Sequence, residues 1–252
     1  MNTLAQKKFK VLLIGDACTD VYQYGSVTRI SPEAPVPVFV PTYDIVRDGM
    51  ASNVFKNLEA LDCDVNYLFG ETSTKTRLID ARSKQQIVRI DNDVTSDPIT
   101  IDSELPNVYD AIVISDYNKG TVSYELIEDL RSRFSGPIFI DTKKTDLARL
   151  EGCFIKINEL EYSRATSFPT SVPSGLIVTL GDRGATYNEE VFPSKEVEVA
   201  DVTGAGDTFL AALAYWYINT NDLKQAIQFA IQASSVTVQR IGVYAPTLKE
   251  IE

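Results

Sequence analysis

Short apolar runs rich in β-branched residues recur along this chain, at residues 9–14, 111–114, 137–140, 153–157 and 175–180. Several of them stop at an acidic or small residue, as at Gly15-Asp16, Ser115-Asp116 and Asp141. Continuous runs of this length predict strands buried on both faces of a parallel sheet. Helical periodicity falls between them at 51–61, 122–134 and 158–165, and twice more near the C-terminus at 206–218 and 223–239. The alternation predicts an α/β fold: a mainly parallel sheet flanked by helices, binding its ligands beyond the carboxyl ends of the strands. Four segments read differently. Residues 21–28, 36–43, 76–82 and 86–91 alternate apolar with polar positions, the pattern of antiparallel strands with one wet face, and Ser83-Lys84-Gln85 joins the last two as a hairpin. They predict a small antiparallel sheet built from two distant insertions, about 17–45 and 75–94. It would serve either as a lid over the strand ends or as decoration of the sheet edge.

Composition narrows the chemistry. The 252 residues are 44% hydrophobic and 23% charged, within the range of one ordinary globular domain over 1–252. The 24 basic and 35 acidic residues leave a net charge of −11. That field disfavours nucleic acid and anionic membrane, and an anionic substrate would need a local basic pocket. There is no histidine. An enzyme built this way works without an imidazole base or ligand, on carboxylates, Lys and Arg, backbone dipoles and borrowed ions. Cys18, Cys63 and Cys153 are too few and too scattered for a disulfide framework. The opening residues MNTLAQKKFK lack the apolar core of a signal peptide, so the expected compartment is the cytoplasm.

Chemistry concentrates at Asp201-Val202-Thr203-Gly204-Ala205-Gly206-Asp207-Thr208, just ahead of a helix. Gly204 and Gly206 permit a tight turn and close approach of a ligand, and the first N–H groups of the helix make an anion hole. Asp207, in the first turn, is placed to deprotonate a hydroxyl while those groups stabilise a transferring phosphoryl group. Read without that context, the same residues are a helix start with a carboxylate complementing the dipole.

The string DVTGAGDTF (201–209) resembles the C-terminal signature of the ribokinase-like carbohydrate kinases. GSVTRISPEAPVP (25–37), KTRLIDARSKQQIVRID (75–91), ISDYNKG (114–120), IDTKKTD (140–146) and KINELE (156–161) follow in the order and character of one branch, the bacterial D-glycero-β-D-manno-heptose 7-phosphate kinases. In those proteins the kinase forms one half of a bifunctional ADP-heptose synthesis protein. The resemblance implies ATP and Mg²⁺ as cofactors and the anomeric hydroxyl of heptose 7-phosphate as acceptor. It implies Asp207 as base with Gly204, Ala205 and Gly206 as anion hole. Asp16, Asp20, Gly49, Asn53 and Asp116 would bind the sugar, and Arg77, Arg89 and Lys143, with Arg47 as a further candidate, its phosphate. Asn158 and Glu161 would place the metal and the ATP phosphates, and Thr179, Gly181, Asp182, Gly184, Ala233 and Gly242 the nucleotide. It also implies a homodimer formed through the lid, whose outer face is expected to carry Tyr22, Tyr24, Val36 and Val38.

Some positions depart from that pattern. Met50 stands where the sugar-facing turn has its second glycine, Asp48 where it has a proline, and Lys144 where a small residue follows Lys143. Only Glu71-Thr72-Ser73-Thr74 remain where the family carries a helix and a strand, and a Pro/Ser/Thr-rich loop at 163–174 replaces another helix. With the base, anion hole and lid motifs kept, the expectation is a trimmed kinase without the nucleotidyltransferase half. Two alternatives stay open: a kinase for another sugar or phosphosugar, and a non-catalytic ligand-binding or scaffold relative.

Overall fold

The computed structural model describes residues 8–102, 108–171 and 175–251. Its first strand, β1 (Lys10–Ile30), explains much of the architecture. Val11 and Leu13 point into one apolar layer and Leu12 and Ile14 into another, and all four are fully buried. A strand covered on both faces has no polar phase, hence the unbroken apolar run. Beyond Gly15 the same strand continues without a loop into the segment expected as a separate lid strand, 21 residues in all. β2 (Pro37–Met50) pairs antiparallel with this outer half as far as Met50, further than the sequence boundary near 45. β3 (Asp64–Asp80) then runs parallel to β1 along nearly its whole length, and β4 (Gln86–Asn92) pairs antiparallel with the outer half of β3.

The residues 71–74 therefore form neither turn nor loop. They lie inside β3, and the register slips by one residue between Gly15↔Phe69 and Ala17↔Thr72. At that level β1 leaves its core neighbour β5 (Ala111–Asp116) and takes β2 instead. One sheet thus divides into a core part and a four-stranded extension.

On the other side of β5 the core continues in parallel through β6 (Ile138–Thr142), β7 (Phe154–Asn158) and β8 (Leu176–Thr179). A short antiparallel pair finishes it: β9 (Ala185–Tyr187) and β10 (Glu190–Phe192), joined at Asn188 and Glu189, both with positive φ. The expectation of a mainly parallel α/β sheet is met, with β9 and β10 added. Helix α1 (Ala51–Ala60) packs on one face with α4 (Ala205–Thr220) and α5 (Leu223–Thr237), and α2 (Tyr124–Arg133) on the other. The six-residue α3 (Glu159–Arg164) follows β7, and α6 (Leu248–Ile251) ends the described chain. α4 is apolar nearly all round, as a helix between a sheet and a second helix must be. No described helix is long and apolar enough to cross a membrane. All three cysteines are buried and free; burial pushes the Cys63 and Cys153 thiols up to about 12.

Register also sorts the faces of the extension. Asp20, Tyr22 and Tyr24 share a face with Arg47, Ile45 and Tyr43 of β2 and with Arg77 of β3. Tyr22 lies under the guanidinium groups of Arg47 and Arg77, and Tyr24 stacks on Tyr43. The two tyrosines thus belong to the charged face, contrary to expectation. The opposite face carries the exposed apolar side chains Val46, Val88 and Ile90.

Candidate active site

Helix α4 begins at Gly204, whose φ of 82° is a left-handed conformation that favours glycine, and no side chain caps this terminus. The Ala205 amide donates to the Val202 carbonyl (3.3 Å), and among the described residues the Gly206 and Asp207 amides of the first turn are left for a ligand. Asp207, in that turn, is 6% exposed. Asn53 Nδ2 donates to its Oδ2 (3.2 Å) and the Tyr117 hydroxyl to its Oδ1 (3.1 Å). Burial, and then the charge of Asp141, push the Asp207 carboxyl up to about 6, against the pull of Lys156 and the two donors. A carboxylate held near neutrality is suited to taking a proton.

Buried Lys156 pairs with half-buried Asp141 (2.6 Å) beneath Gly206. Sequence reading passed over both. The available signal was a lysine inside the apolar strand Phe154–Asn158, because a buried charge requires a partner.

A cavity of about 710 Å³ opens beside the start of α4. Ala205 and Gly206 line it together with Lys156, Asn158, Thr179, Gly181, Asp182 and Gly184. Its further wall, 194–197 with Ser234 and Ser235, was not foreseen; Ser194, Ser234 and Ser235 are small polar side chains that suit a ligand edge. Ala233 does not face it, since helical phase turns this residue into the core. Gly242 also lies elsewhere: its N–H donates to Asp201 (2.9 Å) and the Arg47 guanidinium rests against it.

Asn158 and Glu161 cap helix α3 reciprocally: Asn158 Oδ1 accepts from the Glu161 amide (2.9 Å) and Glu161 Oε2 from the Asn158 amide (2.8 Å). The second Glu161 oxygen is paired with Lys143. Lys143 is thereby tied to the cap of α3 instead of standing free for a substrate phosphate. Arg89 is committed too, gripping Asp91 through two bonds of 2.7 and 2.8 Å. Arg77 pairs with Asp20 (2.5 Å), and among the described residues Arg47 makes no ion pair.

Asp20 lies against the Gly49 backbone, where a Cβ would collide with its carboxylate. The next residue, Met50, keeps a positive φ of 55° with ψ −131°, so the turn retains a glycine-like backbone without a glycine. Asp16 and Asp116 end the core halves of β1 and β5, and both are spent largely on the protein itself. Asp16 Oδ2 accepts the amides of Tyr117 and Lys119, and Asp116 accepts from Asn118, Thr142 and Lys144. Among the described residues Asp16 Oδ1 and Asn53 Oδ1 are left buried without partners, two acceptors available to hydroxyl donors.

Comparison with known proteins identifies the family. Residues 51–250 match the pfkB family carbohydrate kinases. Bifunctional protein HldE of a Nitratiruptor species is 34% identical over 301 aligned positions, covering 97% of this chain and 64% of that protein. The protein of the same name from Campylobacter curvus is 32% identical over 98% of this chain and 65% of its own length. The chain thus spans somewhat less than two thirds of these relatives, and within the shared part they carry stretches it lacks. Among solved structures, ribokinase from Thermotoga maritima superposes with a TM-score of 0.71 at 16% identity, covering 96% of this chain and 98% of that one. Arabidopsis thaliana ribokinase, solved with ribose and ATP, gives 0.70 at 16% over 97% and 98%. The shared signature and fold make this chain a member of the pfkB family of carbohydrate kinases, with a ribokinase-like fold and the activity class of a sugar kinase.

Proposed function

We propose that this kinase transfers the terminal phosphoryl group of ATP to the anomeric hydroxyl of D-glycero-D-manno-heptose 7-phosphate. The observation that carries the reading is Asp207: a buried carboxylate near neutrality, in the first turn of a helix whose uncapped start lines a cavity of about 710 Å³ through Ala205 and Gly206. The bond between the γ-phosphorus and the bridging oxygen breaks, a bond to the sugar oxygen forms, and the hydroxyl proton passes to Asp207. The N–H groups of Gly206 and Asp207 take up charge on the transferring group. The unpartnered acceptors of Asp16 and Asn53 suit sugar hydroxyls, and Arg47, which makes no ion pair among the described residues, suits the phosphate already on the substrate, whereas Arg77 beside it is held by Asp20. HldE relatives at 29–34% identity support the heptose phosphate over other sugars.

One carboxylate and one amide oxygen, each already holding a backbone N–H, fit Mg²⁺ carried in on nucleotide phosphates better than a resident ion. The described residues likewise hold no cluster of three ligating side chains. Bound there, the ion would neutralise charge between the phosphates. The extension reads as a lid that excludes water as its charged face closes on the sugar. The apolar face at Val46, Val88 and Ile90 reads as the contact of a homodimer. The reading also includes one kinase domain and a cytoplasmic setting. Met50 in the sugar-facing turn favours, as a second reading, a kinase for a different phosphosugar.

The test is ADP release from Mg·ATP across a panel of sugars and phosphosugars. Release with heptose 7-phosphate alone supports the proposal, and release with another sugar supports the second reading. Thermal stabilisation by a sugar with no release in any case would leave a binding protein.

A further inference from the structure

Three consecutive amides after β5 are satisfied by neither helix nor sheet. Those of Tyr117 and Lys119 donate to Asp16 Oδ2 (2.7 and 3.1 Å), and that of Asn118 to Asp116 Oδ1 (2.8 Å). Asp116 is itself fixed by the Thr142 hydroxyl (2.6 Å) and Lys144 Nζ (3.3 Å). Two buried carboxylates from adjacent strands hold one short turn, with Asn118 at φ 58°. Burying carboxylates costs free energy, so such a turn needs a reason in what it presents. It presents the Tyr117 ring, with Lys143 Nζ 5.7 Å from its centroid and its hydroxyl 3.1 Å from Asp207 Oδ1.

We infer that Tyr117 is a positioning residue for Asp207, its phenol orienting the carboxylate and favouring the ionised form that accepts the sugar proton. The inference rests on the reading of Asp207 as the base. Tyr117 and Asn53 approach opposite oxygens of Asp207, so the plane of the carboxylate is set from two elements. Each oxygen retains a lone pair for the acceptor hydroxyl. The phenol is a reliable donor here: burial, and next the neighbouring Asp207, hold it well above its ordinary value. The other charges around the pair are Asp141 on β6, Lys156 on β7, Glu161 on α3 and Lys143 after β6. Removing the hydroxyl leaves all of them in place.

The test compares wild type, Tyr117→Phe and a 3-fluorotyrosine replacement at position 117, whose more acidic phenol is the stronger donor. A hydrogen bond to a charged group corresponds to roughly one pH unit or more. In Tyr117→Phe the ¹³C titration of the Asp207 carboxyl should move up by about that much, and in the fluorotyrosine protein it should move down. Turnover of Tyr117→Phe at neutral pH should fall about tenfold or more with the KM for ATP unchanged. A titration and turnover like wild type in a folded Tyr117→Phe overturn the inference. The NMR titration needs no substrate, so it decides even if the sugar is another one. Asp207→Asn is assayed alongside: turnover retained there removes the base itself, whereas turnover lost there but kept in Tyr117→Phe removes only the role of Tyr117.

Discussion

Asp207 is costly to the fold in its ionised form, the form the proposed role requires. Burial and Asp141 lift its carboxyl from the ordinary 3.8 to about 6, so the folded protein holds this proton more tightly than the unfolded chain. Stability therefore falls as pH rises from about 3.8 to about 6, by about 1.4 kcal/mol per pH unit, and the penalty is complete above pH 6. Two outcomes follow for Asp207→Asn at pH 7.5. Turnover should drop by at least about 10²-fold, the lower range for a positioned general base. The melting temperature should rise instead of falling, the gain in stability reaching at most about 3 kcal/mol because one of the two donors loses its charged acceptor. In wild type, kcat/KM should fall as pH drops through about 6. A flat profile between pH 5 and 7 would sink the assignment. Residues of this kind were only partly legible. DVTGAGDTF stood out because a left-handed turn demands glycine locally. Tyr117 lay inside a recognised string without a role, since its partner is 90 positions away.

Helix starts differ in what they leave unsatisfied. At α2 the Ser123 side chain accepts from the Leu126 amide (3.0 Å), closing the terminus, whereas at α4 Gly204 supplies only its conformation. Gly204→Ala should cost about 1–2 kcal/mol by strain at φ 82° and also reduce turnover, because the N–H groups are displaced. Ser123→Ala should cost about 1 kcal/mol and leave turnover unchanged. Urea denaturation paired with ADP release separates the two; equal turnover in both variants would argue against an anion hole at α4. The core strands and the larger helices are visible as elements because burial leaves a local pattern on each, an unbroken apolar run in a strand covered on both faces and a helical period in a helix covered on one. β9 and β10 were missed, each being three residues long. The continuity of β1 through Gly15–Ala17 was missed as well, since the change of periodicity there marks a change of neighbours and not a break in the strand.

β1 and β3 belong to the core and to the extension at once, so the two parts share backbone hydrogen bonds with no linker between them. The expected consequence is one cooperative thermal transition. Trp216, stacked on Phe229 in the core at 4.2 Å, reports the core by fluorescence, and far-UV circular dichroism reports all strands. The two curves should coincide; a separate early transition in the dichroism would show an extension that melts alone. The alternation of buried runs and amphipathic helices by itself determined an α/β sheet with its chemistry at the strand ends. A −11 chain without histidine further confined that chemistry to carboxylates, cations and backbone dipoles. Only the tertiary structure decided which charges remain available. Arg89, Lys143 and Arg77 are occupied by Asp91, Glu161 and Asp20, Arg47 makes no ion pair among the described residues, and Asp16 and Asp116 hold a turn that carries Tyr117 to Asp207. The physical reason is that a period or a turn is set by neighbours along the chain, whereas the partner of a charge is set by elements that meet only when the sheet assembles.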